Sequence, residues 1–277
     1  MPSQSFDDVV QGPEEAIDLA QAALLLARDE YPELEVERYI ARLDRLAELV
    51  RERLSADAEP TDVLLTLNEF LFEEQGFAGN IEDYYDPRNS FLNEVLDRRM
   101  GIPITLSILY IEIGRRLGLE LQGVSFPGHF LVKYELSDGV VVLDPFHGGR
   151  SLSEDDLEDR IEDLLGIQAA VKTTMAELLA GAGKKQILMR MLRNLKGVYA
   201  GRDQWEKALT ASNRILLVAP AEASELRDRA RIYERLDCLQ GALQDYQRYL
   251  ALESDPEDLE AVRARVIDLQ QHVGRLN

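Results

Sequence analysis

Through the first hundred residues, apolar positions recur at three and four, the spacing of one helix face. After Pro13 the stripe Ile17, Ala20, Leu24 and Ala27 predicts a helix that stops before Pro32, because the residue preceding a proline disfavours helical backbone. Val36, Tyr39, Ile40, Leu43, Leu46, Leu49 and Val50 predict a second, with Glu and Arg on its other side. Pro60 opens a third through Leu64, Leu67, Phe70 and Leu71, closed by Gly76 and Gly79. Asp86-Pro87-Arg88-Asn89-Ser90 reads as a turn, with Ser90 capping a short helix Phe91 to Arg98 and Glu94 near the capping-box place. Gly101-Ile102-Pro103 breaks the chain again. The next segment, Ile104 to Leu117, is apolar around most of its circumference and reads as a central buried helix. The period then falls to two: Val124, Phe126, Phe130, Val132 and Tyr134 alternate, Ser137-Asp138-Gly139 turns, and Val140 to Leu143 is a β-branched run. This predicts a hairpin ended by Asp144-Pro145. Gly148-Gly149 reads as a loop, and a helix resumes near Ser153 with the acidic first turn Glu154-Asp155-Asp156.

Gly181-Ala182-Gly183-Lys184-Lys185 is the expected linker. Beyond it the chain is helical and repeats weakly at 34 residues: Leu192 with Leu226, Tyr199 with Tyr233, Ala208-Leu209 with Ala242-Leu243, Arg214 with Arg248. This stretch resembles tetratricopeptide repeats, whose period is about 34 and whose small residues let paired helices approach. A length of 277 residues fits about two domains. The expected division is residues 1–180, a helical N-terminal region with an α+β core at about 80–165, and residues 181–277, an all-α repeat domain.

Charge narrows the partners. Lys and Arg total 31 against 51 Asp and Glu, a formal net charge of -20. Such a surface repels phosphate backbones and anionic lipid, so direct nucleic-acid or membrane binding is not expected. One cysteine, Cys238, excludes an internal disulfide and a multi-cysteine zinc site, and His129, His147 and His272 show no metal-ligand spacing. Neither metal nor cofactor is expected. The opening MPSQSFDDVVQGPEEA lacks a basic and apolar leader, so a cytoplasmic protein is expected.

The candidate chemistry lies at Pro103, His129 and Asp144. A buried helix start, then a histidine on one strand and an acid on the next, is the chain order of papain-like and transglutaminase-like enzymes. There a helix-start thiolate attacks, the histidine takes its proton and the acid orients the imidazole. The stretches NSFLNEVLDRRMGIPITLSILYIEIGRRLGLEL, GVSFPGHFLVKY and VVVLDPFHGG resemble the bacterial SirB-type family, which joins a transglutaminase-like domain to tetratricopeptide repeats. The resemblance implies a cysteine-proteinase-like (transglutaminase-like) core with mostly helical surroundings, with His129 and Asp144 on the superfamily histidine and acid. It puts Pro103 where the cysteine belongs and Ser107 where an alanine belongs. Cys238, in the second repeat, is no substitute. The expected function is a non-catalytic scaffold that binds a protein or peptide through its repeat groove. The alternative is a hydrolase or acyltransferase using His129 and Asp144 with Ser107, Thr105 or activated water. Thr105 and Ser107 read first as backbone-bonding hydroxyls, Asn89 and Ser90 as helix caps, and His147 as a loop residue. A turn centred between Asp138 and Gly139 would pair Asp144 with Lys133 and leave His129 roughly 13 Å away along the strand. A shifted register or a bulge brings the two together, and contact is the expectation.

Overall fold

The computed structural model describes residues 5–137, 139–165, 174–252 and 256–276. The chain forms two compact units, Met1–Met191 and Leu192–Asn277. The Gly181–Lys185 segment thus lies inside the first unit.

The first unit opens with α1 (Phe6–Val10), held by a capping box of Ser5 and Asp8. The segment read as one helix after Pro13 is a 3-10 turn, Glu14–Ala16, followed by α2 (Leu19–Ala27). The break has a local cause: the Asp18 carboxylate accepts the Gln21 N–H at 2.9 Å and resets the helix start. α3 (Val36–Arg51) follows its stripe, burying Leu43, Leu46, Ala47 and Val50. α4 (Pro60–Asn68) begins with proline in its first turn and widens into a π-helical turn at Glu69–Glu74. Strand β1 (Ala78–Gly79) comes next, then the 3-10 turn Pro87–Ser90 and α5 (Leu92–Arg98). Ser90 does not cap α5. It sits buried in the 3-10 turn, and Phe91 holds the cap position with no side-chain bond.

After α5, β2 (Met100–Gly101) pairs in parallel with β1, Gly79 opposite Gly101. α6 (Pro103–Arg116) follows, buried continuously from Pro103 to Gly114. A helix apolar around most of its circumference has to be enclosed, and each Leu or Ile withdrawn from water contributes about 1.5–3 kcal/mol.

The strands β3 (Gln122–Val124), β4 (Leu131–Leu136), β5 (Gly139–Asp144) and β6 (Arg150–Leu152) form one antiparallel sheet in that order. The alternation from Val124 to Tyr134 is therefore two strands. Between them the chain loops through Gly128 at φ +65, and Phe126 and Phe130 are buried by packing rather than by strand pairing. β6 was hidden behind Gly148 and Gly149, both at positive φ, which reverse the chain into a third antiparallel pairing. The hairpin register sets Leu136 opposite Gly139 and Lys133 opposite Val142, not Asp144. This register centres the hairpin one position earlier than the Asp-Gly pair suggests; Asp138 itself lies outside the described residues. α7 (Glu154–Leu165) starts where Ser153 and Asp156 cap each other. It lays Leu157 and Ile161 against Val124, Phe126, Leu131 and Val142 of the sheet region. A short helix, α8 (Met175–Leu178), precedes α9 (Lys184–Gly201), within which the two units divide.

The second unit continues with α10 (Trp205–Val218), α11 (Ala223–Arg235), α12 (Leu239–Leu252) and α13 (Pro256–Leu276). The 34-residue period is carried by the backbone as well as by side chains. Asp203 and Asp237, 34 apart, both adopt left-handed backbone at φ 56 and 55. In each turn the next N–H reaches back to a tyrosine carbonyl, Gln204 to Tyr199 at 2.9 Å and Cys238 to Tyr233 at 2.8 Å. Ala208 and Ala242 are fully buried where a larger side chain would hold the helices apart.

Candidate functional site

Two glycines fix the start of α6. A Cβ on Gly101 would lie 2.9 Å from Thr105 Oγ1 and 3.1 Å from Val95, and one on Gly79 would lie 2.5 Å from the Phe146 ring. The β1–β2 ladder therefore brings the helix start against the 3-10 turn Pro145–His147. Pro103 occupies the first turn of α6 and needs no N–H there.

The neighbouring hydroxyls are committed to backbone. Thr105 Oγ1 donates to the Asn89 carbonyl at 2.7 Å and accepts the Ile102 N–H at 3.1 Å. Ser107 Oγ faces the Phe130 carbonyl at 3.4 Å, and both residues are fully buried.

His129 and Asp144 meet. His129 Nε2 lies 2.8 Å from Asp144 Oδ1. The register places the end of β5 beside the start of β4, and the Gly128 turn folds His129 back over it. Sequence reasoning missed the rest of the arrangement. His147 Nδ1 lies 2.8 Å from Asp144 Oδ2, its backbone N–H reaches Oδ1 at 3.3 Å, and Arg160 of α7 donates to Oδ2 at 2.9 Å. Burial alone would push the Asp144 carboxyl up. The hydrogen bond and charge of His129, with bonds from His147 and Arg160, outweigh it and hold the acid well below the usual carboxylate range. An ionised carboxylate only accepts, so His129 Nε2 and His147 Nδ1 both donate to it.

Two further side chains shape the site. Arg190 donates to the His129 carbonyl at 2.8 Å and lies over the Phe130 ring. Asn89, read as a cap, is a buried hub: besides receiving Thr105 on its carbonyl, its side chain bonds Asn80, Asp83 and Tyr84. His147 carried a readable signal, three residues after an acid in a Pro-initiated turn; Arg160 and Arg190 carried none, since each contact is made across the fold. His129, Asp144 and His147 place candidate ligand atoms within 4.8 Å of one another. The Asp144 oxygens in that set already serve two imidazoles and a guanidinium, a poor fit to a cation.

A histidine from the β3–β4 loop bonded to the acid at the end of β5, with the start of α6 packed near the adjoining turn, follows the order of the papain-like and transglutaminase-like group. The transglutaminase-like superfamily model matches residues 37–193, and a tetratricopeptide repeat model matches residues 195–266. The chain is a transglutaminase-like protein of the UPF0162 family. It is 42% identical over 260 residues to a UPF0162 protein of Xylella fastidiosa, covering 92% of this chain and 91% of that one. A UPF0162 protein of Vibrio cholerae is 33% identical over 240 residues, 85% and 86% of the two chains. F-box only protein 21 of Mus musculus is 30% identical over 228 residues, 78% of this chain but 32% of that protein. Among the described residues, no helix is long and apolar enough to cross a membrane.

Proposed function

We propose that this chain is a non-catalytic, cytosolic binding or regulatory protein: a transglutaminase-like scaffold joined to tetratricopeptide helices whose groove takes a protein or peptide. The observation that carries the reading is Pro103 at the first turn of α6 while the His129–Asp144 pair remains formed at 2.8 Å. A proline ring has no atom that can attack a carbonyl. Without an attacking thiolate there is no acyl-enzyme, and the oriented imidazole has nothing to deprotonate. His129 and Asp144 are on this reading a remnant dyad that now holds the β4–β5 end and the Pro145–His147 turn in place. The alternative, an acyl-transfer or hydrolytic enzyme using Thr105 or Ser107, is disfavoured by the commitment of both buried hydroxyls to backbone carbonyls. The net charge of -20 favours a protein partner over nucleic acid for any regulatory role.

The test is a survey of the full chain with amide, ester and thioester substrates, run beside His129→Ala. No turnover above the His129→Ala background is expected. Turnover that disappears in His129→Ala would establish an enzyme and end this reading.

A further inference from the structure

We propose that residues 81–85 are a preformed recognition loop for a basic peptide segment, one that carries a lysine or arginine beside an apolar side chain. The inference deepens the binding reading above and rests on it, adding a contact surface on the transglutaminase-like unit.

The loop exposes five consecutive residues, Ile81, Glu82, Asp83, Tyr84 and Tyr85. Ile81 is 72% exposed and Tyr85, four residues on, 70%, which is unusual for two large apolar and aromatic groups on one short segment. It is nevertheless held in one conformation. Asn80 Oδ1 accepts the Asp83 N–H at 3.1 Å, and Asn80 Nδ2 donates to Asn89 Oδ1 at 3.0 Å. Asn89 Nδ2 in turn donates to the Asp83 carbonyl at 2.7 Å and the Tyr84 carbonyl at 3.2 Å. Two buried asparagines thus fix the backbone of a segment that presents Ile81, Glu82, Asp83 and Tyr85 to water. A loop ordered in advance loses little entropy when it is bound.

The chemistry of the exposed groups selects the occupant. Tyr84 and Tyr85 meet edge to face at 5.3 Å, and Tyr84 meets Phe146 at 6.0 Å, so aromatic rings run from the loop to the turn that carries His147. Tyrosine faces attract ammonium and guanidinium groups. Between Ile81 and Tyr84 stand Glu82 and Asp83, which enter no ion pair among the described residues. The basic side chains of the same segment, Arg88 and Arg98, are committed to Asp86. An apolar contact, aromatic faces and two uncompensated carboxylates together complement a cationic side chain flanked by an apolar one. They repel phosphate and acidic peptides.

The test uses the full chain on an immobilised positional-scanning hexapeptide library. The selected sequence is then made as a fluorescein-labelled peptide and titrated by anisotropy. The library should enrich Lys or Arg next to Leu or Phe. Tyr85→Ala should weaken the labelled peptide about five-fold. The double change Glu82→Gln with Asp83→Asn should remove most of the salt dependence of binding. Thermal midpoints should not move, because the altered side chains are exposed. Enrichment of acidic or uncharged peptides would overturn the proposal, as would unchanged affinity in both loop variants. Peptide binding that survives the loop changes would leave the chain a binding protein and remove only the loop. His129-dependent turnover would instead strike the non-catalytic reading while leaving a loop preference intact.

Discussion

The Asp144 carboxylate receives two imidazoles, a guanidinium and the N–H of its own turn, so changing it strands several donors together. Its folded pKa lies below the unfolded value near 4, so it contributes stability that is complete above that value and is lost as pH falls through the depressed one. Asp144→Asn should cost about 3 kcal/mol at neutral pH. Denaturant titrations across a pH series should show that difference shrinking below about pH 4; a constant difference would mean the carboxylate is not paired as described. His129 and Asp144 were legible because a known pattern gave each a place. The pair's other partners were not, since Arg160 approaches from α7 and nothing in its local sequence marks a tertiary contact. Asn89 shows the same limit: an Asx residue in a turn looks like a cap, whereas here its amide ties together the 80–86 loop and its carbonyl receives α6.

Elements announced by caps and periodicity were readable, and those set by packing were not. α3, α4 and α6 begin close to where apolar stripes and prolines placed them. The sheet was harder. Buried Phe126 and Phe130 imitated a strand through a loop, and paired glycines concealed β6. The start of α6 offers a direct check. Gly101→Val would drive a branched side chain into Thr105, Val95 and Leu106, and thermal unfolding should show a loss of about 1–3 kcal/mol, several degrees, with Gly101→Ala milder. An unchanged midpoint would remove the tight clamp inferred at this helix start. In the repeats, Asp237 holds left-handed backbone that a β-branched residue resists. Asp237→Val should lose about 1 kcal/mol or more by denaturant unfolding, while Asp237→Gly should be neutral or stabilising. Equal effects from both would mean that backbone conformation does not govern that turn.

Across the whole chain, the transglutaminase-like unit and the tetratricopeptide unit were both visible in sequence. The first showed in its motif order and the second in a 34-residue period that the paired aspartate turns repeat in the backbone. On the proposed non-catalytic reading position 103 decides the chemistry, because proline opens α6 where the resemblance implies an attacking cysteine, while His129 stays bonded to Asp144. The direct measurement is the pH dependence of iodoacetamide alkylation of Pro103→Cys, made in a Cys238→Ser background. The helix start and His129 should lower the new thiol's pKa by at least one unit from the ordinary value of about 8.5, with fast labelling at neutral pH that slows when His129→Ala is added. A thiol that titrates at the ordinary value and is indifferent to His129 would contradict the account.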